Sequence, residues 1–96
     1  MPIVTVYTTE NCQQCRRTKR VLDKAGVEYE TVQADAADKV QLADAIRERA
    51  AELGVSATMP YVTVYDIHNT LIADWFGLQP GKITDYALVR DAEDAA

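Results

Sequence analysis

The sequence predicts an α/β fold, a four-stranded mixed sheet with helices on both faces, in the order β-α-β-α-β-β-α. Three observations predict it. Short β-branched and aromatic stretches alternate with longer segments of helical period. The opening strand-helix-strand unit requires parallel pairing and a right-handed crossover. Two later strands are separated only by a short turn, which makes them an antiparallel hairpin. At 96 residues, 48% hydrophobic and 26% charged, the chain is expected to form one domain, residues 1–96, with a frayed acidic tail at 91–96.

Ile3 to Thr8, IVTVYT, alternates apolar residues at Val4 and Val6 and reads as the first strand. Thr9 to Asn11 offer side-chain oxygens to cap a helix. Cys15, Thr18, Val21, Leu22 and Ala25 then recur at helical spacing, and Gly26 is placed to end that helix in a left-handed turn. Val27 to Val32 is the second strand. Asp35 can cap a second helix, with Asp38 favourable in its first turn. Leu42, Ile46, Ala50 and Leu53 form its apolar face, Arg47, Glu48, Arg49 and Glu52 its solvated face, and Gly54 its end. MPYVTVYD is the third strand, DIHNT a turn and LIADW the fourth strand. Pro80 suits the first turn of a last helix carrying Ile83, Tyr86, Ala87 and Val89 or Arg90.

The net charge of -5 argues against nucleic acid as a partner, because phosphate affinity needs a positive field. No apolar run approaches the roughly 20 residues of a membrane span. MPIVTVYTT lacks a basic region ahead of its apolar run, so a cytoplasmic location is expected. In that setting structural disulfides are rare, and a bridge between Cys12 and Cys15 would constrain little of the unfolded chain.

The chemistry therefore concentrates in Cys12 and Cys15. Cys12 falls where a strand gives way to a helix, whose free N–H groups and partial positive charge favour thiolate over thiol. Arg16 adds to this; Glu10 opposes it. Cys15 lies on the inward face, where burial keeps it a thiol. The expected roles are attack on a disulfide by Cys12 and resolution of the mixed disulfide by Cys15. Two other readings stand beside this one. A structural zinc site takes four ligands, and His68, alone in a turn and read as polar surface, leaves that count short. Two inert core cysteines are the other, disfavoured by the helix-start position. No metal and no cofactor are expected.

These residues resemble the thioredoxin superfamily and, within it, the glutaredoxin-like redoxins, most closely the NrdH-redoxins. The resemblance covers nearly the whole chain. It rests on VTVYTTENCQQCRRTKRVLDKAGVEYETV with its Cys-x-x-Cys and Thr18-Lys19 pair, on ATMPYVTV, and on DWFGLQPGKI. It implies a thioredoxin/glutaredoxin fold and a thiol-disulfide oxidoreductase. It also implies a cis bond at Met59–Pro60, with Thr58, Met59 and Pro60 forming a substrate-binding loop against Cys12 and the Met59 backbone pairing with an extended substrate. Trp75, Gly77 and Pro80 match the family's Trp-Ser-Gly-Phe-Arg-Pro element, whereas Phe76, Leu78 and Gln79 depart from it. The helix over Leu42 to Leu53 and the turn at His68 are longer than the resemblance leads one to expect. Trp75 and Phe76 are read either as an exposed aromatic contact beside Cys12 or, for at least one of them, as core.

The resemblance implies a role as electron donor to ribonucleotide reductase, and so to deoxyribonucleotide synthesis, with the disulfide of a protein as substrate. Thioredoxin reductase is the preferred reductant, since the family's anchors for glutathione are sparse here. Arg16 and Lys39 would substitute if the protein were a glutathione-dependent glutaredoxin. Arg16, Arg17 and Arg20 are docking charges for an acidic partner or a solvated helix face. An iron–sulfur module held between two subunits is the reading from another class, and a scaffold without turnover a further one; a monomer is expected. With no proline and no charge between the cysteines, the couple should be reducing, nearer the roughly -270 mV of thioredoxin than the roughly -120 mV of a strong oxidant.

Overall fold

The computed structural model describes residues 3–83. The expected element order holds across them. Strand β1 (Ile3–Thr8) leads into helix α1 (Gln13–Lys24) and strand β2 (Glu30–Gln33). A single 3-10 turn (Ala37–Lys39) opens helix α2 (Val40–Leu53), and strands β3 (Tyr61–Tyr65) and β4 (Leu71–Phe76) follow. The sheet runs β2-β1-β3-β4, with β1 parallel to β2 and antiparallel to β3, and β3 antiparallel to β4. The last described residues, 80–83, are helical from Pro80 onward. The expected positions of the final helix beyond Ile83, and the acidic tail, lie outside the described residues.

Strand alternation sorts the core into two layers. Val4 and Val6 of β1, Val62 and Val64 of β3 and Trp75 of β4 pack with Leu22 of α1, Val27 and Ile83 on one face. Tyr61, Phe76 and the half-buried Tyr7 pack with Ala34 and with Ile46 and Ala50 of α2 on the other. The sheet therefore carries α1 on one face and α2 on the opposite one. Register lines up Tyr7, Tyr61 and Phe76 across three strands. Their rings stack in sequence, Tyr7 on Tyr61 at 5.6 Å and Tyr61 on Phe76 at 4.5 Å between centroids. Such cross-strand aromatic contacts contribute beyond the area they bury.

Both helices end as expected, and for the same reason. Gly26 (φ 70) and Gly54 (φ 68) take the left-handed conformation that closes a Schellman turn. Val27 N–H donates to the Leu22 carbonyl and Val55 N–H to the Ala50 carbonyl, both at 3.0 Å. The second strand differs from expectation. Val27 is spent anchoring the end of α1 in the core, and pairing begins only at Thr5–Glu30. The start of α2 differs too. Asp35 does not cap it: the N-cap positions fall at Ala36 for the 3-10 turn and at Lys39 for α2, and the Asp35 carboxylate accepts the Glu10 N–H instead. The hairpin turn is organised by Asp66, whose Oδ1 accepts from the N–H groups of His68 and Thr70 at 2.8 and 2.9 Å. Asn69 bends left-handed at φ 62.

Candidate functional site

Cys12 rather than Thr9, Glu10 or Asn11 is the N-cap of α1. Asn11 turns left-handed at φ 59, and this delays the helix by one residue. Cys12 then takes an extended conformation, φ -89 and ψ 106, and its Sγ accepts the N–H of Cys15 at 3.1 Å. A sulfur thus occupies the place of the usual capping oxygen, facing a free donor at the positive end of a helix. Cys12 and Cys15 are joined in a disulfide, with 5.2 Å between their Cα atoms. The two sulfurs are not equivalent. Cys15 is 2% exposed, on the same inward face as Thr18 and Leu22, whereas Cys12 is only partly covered.

The Met59–Pro60 peptide bond is cis. Pro60 is fully buried, Met59 half-buried and Thr58 exposed. The Pro60 carbonyl accepts the N–H of Gly77 at 2.8 Å, tying this loop to the end of β4. Gly77 holds φ 80, and a Cβ there would lie 3.7 Å from Gln14 Oε1 and 3.9 Å from Thr58 Oγ1. The structure thereby gathers the first turn of α1, the Thr58–Pro60 loop and Gly77 at one end of the sheet. The backbone N–H and C=O of Met59 form no hydrogen bond with the described residues. A cleft of about 380 Å³ opens beside Thr58, lined further by Val55, Ser56, Gln79 and Lys82.

Trp75 and Phe76 form part of the wall of this cleft but are otherwise covered. They are 3% and 6% exposed and point to opposite faces of β4, Trp75 beneath α1 and Phe76 onto Tyr61. Two neighbours in a strand with both faces covered are both core, so neither offers a ring to a partner. Arg16, Arg17 and Arg20 are exposed on α1 and form no ion pair among the described residues. Lys39 stands partly buried at the head of α2.

A partly buried network stands behind the site, and the helical pattern did not announce it. Asp74 accepts from Arg49 Nε at 2.6 Å, from Arg49 Nη2 at 3.0 Å and from the Tyr61 hydroxyl at 2.8 Å. The Arg49 guanidinium holds the Asp74 carboxyl below the usual carboxylate range, against the opposing effect of burial. Burial, and then the bond to Asp74, raise the Tyr61 hydroxyl well above its ordinary value. Tyr61 directly follows Pro60, so the network holds the first residue of the strand that follows the cis bond. Arg49 is thus a structural bridge from α2 to β4 and not part of a purely solvated face. The signal that could have found it is an acid, Asp74, at an inward position of a predicted strand.

Architecture and site define a thioredoxin/glutaredoxin fold with a Cys-x-x-Cys disulfide at the head of its first helix. Solved structures agree. The NrdH-redoxin of Escherichia coli superposes with a TM-score of 0.60 at 26% identity, over 86% of this chain and 92% of that one. Thioredoxin f from spinach chloroplast, at 17% identity and a TM-score of 0.62, shares the fold over 92% of this chain and 74% of its own. In sequence, the glutaredoxin family profile matches residues 4–68. The glutaredoxin-like protein NrdH of Salmonella typhimurium is 31% identical over 80 residues, which is 83% of each chain. The gene 56 protein of Mycobacterium phage D29 is 31% identical over 82 residues, 85% of this chain and 79% of that protein. The chain belongs to the glutaredoxin family, with NrdH-redoxins among its homologues. Among the described residues, no helix is long and apolar enough to cross a membrane.

Proposed function

We propose that the protein is a dithiol-disulfide oxidoreductase that reduces protein disulfides through Cys12 and Cys15. The observation that carries this reading is the asymmetric disulfide, with a partly exposed sulfur at the N-cap of α1 and a buried one a turn behind it. In the reduced protein the Cys15 N–H and the helix end favour a thiolate at Cys12. That thiolate attacks one sulfur of a substrate disulfide and expels the other as a thiolate, which takes up a proton. Cys15, once deprotonated, attacks Cys12 Sγ, releases the second substrate thiol and closes the Cys12–Cys15 bond. Two electrons pass from the protein to the substrate, and a reductant must return them.

The open backbone groups of Met59, beside the Thr58–Gly77 surface, suit an extended substrate segment added as a strand. Arg16, Arg17 and Arg20, exposed and without an ion pair among the described residues, suit an acidic partner. NrdH relatives support a protein disulfide such as that of ribonucleotide reductase as the substrate. The Escherichia coli NrdH-redoxin, a glutaredoxin-like protein, has a thioredoxin-like activity profile. This favours thioredoxin reductase as the source of electrons here, with the protein acting as a monomer in the cytoplasm. A second reading takes glutathione as reductant, and a 29% identical glutaredoxin of Pseudomonas aeruginosa supports it over 68 residues. The test follows NADPH consumption with a disulfide substrate, supplying thioredoxin reductase in one arm and glutathione with glutathione reductase in the other. Turnover in the first arm alone is expected; turnover confined to the second would transfer the protein to the glutathione-dependent reading.

A further inference from the structure

Thr9 to Asn11 deliver Cys12 to the head of α1 through a bend that few side chains tolerate. Asn11 holds φ 59, where a residue other than glycine is disfavoured and asparagine is among the better tolerated. Such a connection keeps its shape when the surroundings over-determine it. Two consecutive residues after β2 supply that constraint. Ala34 N–H donates to the Thr8 carbonyl at 2.7 Å, and Asp35 Oδ2 accepts the Glu10 N–H at 3.0 Å. The first bond fixes where β1 ends. The second grips the turn two residues before Cys12. Cys12 Sγ lies against the Cys15 N–H at 3.1 Å, so a small rotation of this turn carries the sulfur away from the donor that stabilises it.

We propose that Asp35 is a positioning residue of the redox site: by holding the Glu10 N–H it sets how Cys12 meets the head of α1. The proposal rests on Cys12 being the nucleophile. Asp35 exerts two opposite influences. Its negative charge disfavours a nearby thiolate, while its hydrogen bond secures the geometry that favours one. The bond also holds the Asp35 carboxyl below its ordinary range, so the grip persists at neutral pH.

Substitutions separate the two influences. Asp35→Asn removes the charge and keeps an acceptor oxygen; Asp35→Ala removes both. Asp35→Glu keeps the charge but displaces the oxygen by one methylene. For the reduced proteins, the rate of Cys12 alkylation by iodoacetamide is measured against pH, alongside turnover of hydroxyethyl disulfide. Asp35→Asn is expected to keep the wild-type alkylation midpoint or lower it, with turnover within about twofold of wild type. Asp35→Ala and Asp35→Glu are expected to raise the midpoint and to lose about tenfold in kcat/KM. Coincident midpoints and turnover for Asp35→Asn and Asp35→Ala would overturn the proposal, because the hydrogen bond would then have no effect of its own. A wild type that reduced no disulfide would remove the proposed function, and the alkylation midpoints alone would then decide the role of Asp35.

Discussion

Asp74 shows how a single residue can tie a helix to the sheet beneath it. Its side chain is 8% exposed and receives three hydrogen bonds, two from Arg49 and one from Tyr61. Removing the carboxylate takes from the Arg49 guanidinium two of its acceptor contacts and from the Tyr61 hydroxyl its acceptor. Asp74→Ala is therefore expected to lower the unfolding free energy by about 2–3 kcal/mol, measured by urea denaturation. The pH dependence has a definite sign. The folded-state pKa of Asp74 lies below its unfolded value, so its stabilisation is complete above about pH 5. It is lost as pH falls through the unfolded value near about 4 towards the lower folded one. Asp74→Asn should flatten that part of the stability profile; an unchanged acid limb would show that other carboxylates dominate it. This bridge was not legible in the sequence. Helical periodicity assigns Arg49 to the solvated face of α2 and is silent about an acid 25 residues away on another strand.

Among the elements, the helix ends and strands with strong local signals were readable. IVTVYT is β1 to the residue, and Gly54 closes α2 where its pattern stops. The junctions were less so, because tertiary hydrogen bonds decide them. Asp35 reads as a cap and instead holds Glu10; Thr9 to Asn11 read as caps and instead bend around Asn11. The two motifs of the candidate site stood out, Cys-x-x-Cys by its spacing and the Thr-x-Pro loop by its family resemblance. Glycine substitutions separate fold from site. Gly54 and Gly77 both hold positive φ, so Gly54→Ala and Gly77→Ala should each cost about 1–2 kcal/mol of stability. A Cβ at Gly54 meets nothing within 4 Å, whereas one at Gly77 faces Gln14 and Thr58. Those contacts are of ordinary length, but the turn that alanine would strain at Gly77 is bonded to Pro60 beside the candidate site, so disulfide turnover should fall only in Gly77→Ala. Equal turnover in the two variants would argue that the Gly77 turn does not shape the substrate surface.

For the whole molecule the distribution of charge matters more than its sum. A chain of net charge -5 presents Arg16, Arg17, Lys19, Arg20 and Lys24 on α1, the helix that begins at the disulfide. A partner is steered by the nearer field. Replacing Arg17 and Arg20 by serine should slow turnover with an acidic protein partner roughly 10-fold at low salt, and much less at high salt. Turnover of a neutral small disulfide should not change. A loss equal for both substrates would assign these arginines to the thiol chemistry and not to docking. The most direct test of the central claim compares the wild type with Cys12→Ser in the NADPH-coupled reduction of a protein disulfide, with either reductant supplied. NADPH consumption by the wild type and none above background by Cys12→Ser is the expected result. Equal consumption by the two proteins, or none by the wild type with either reductant, would contradict it.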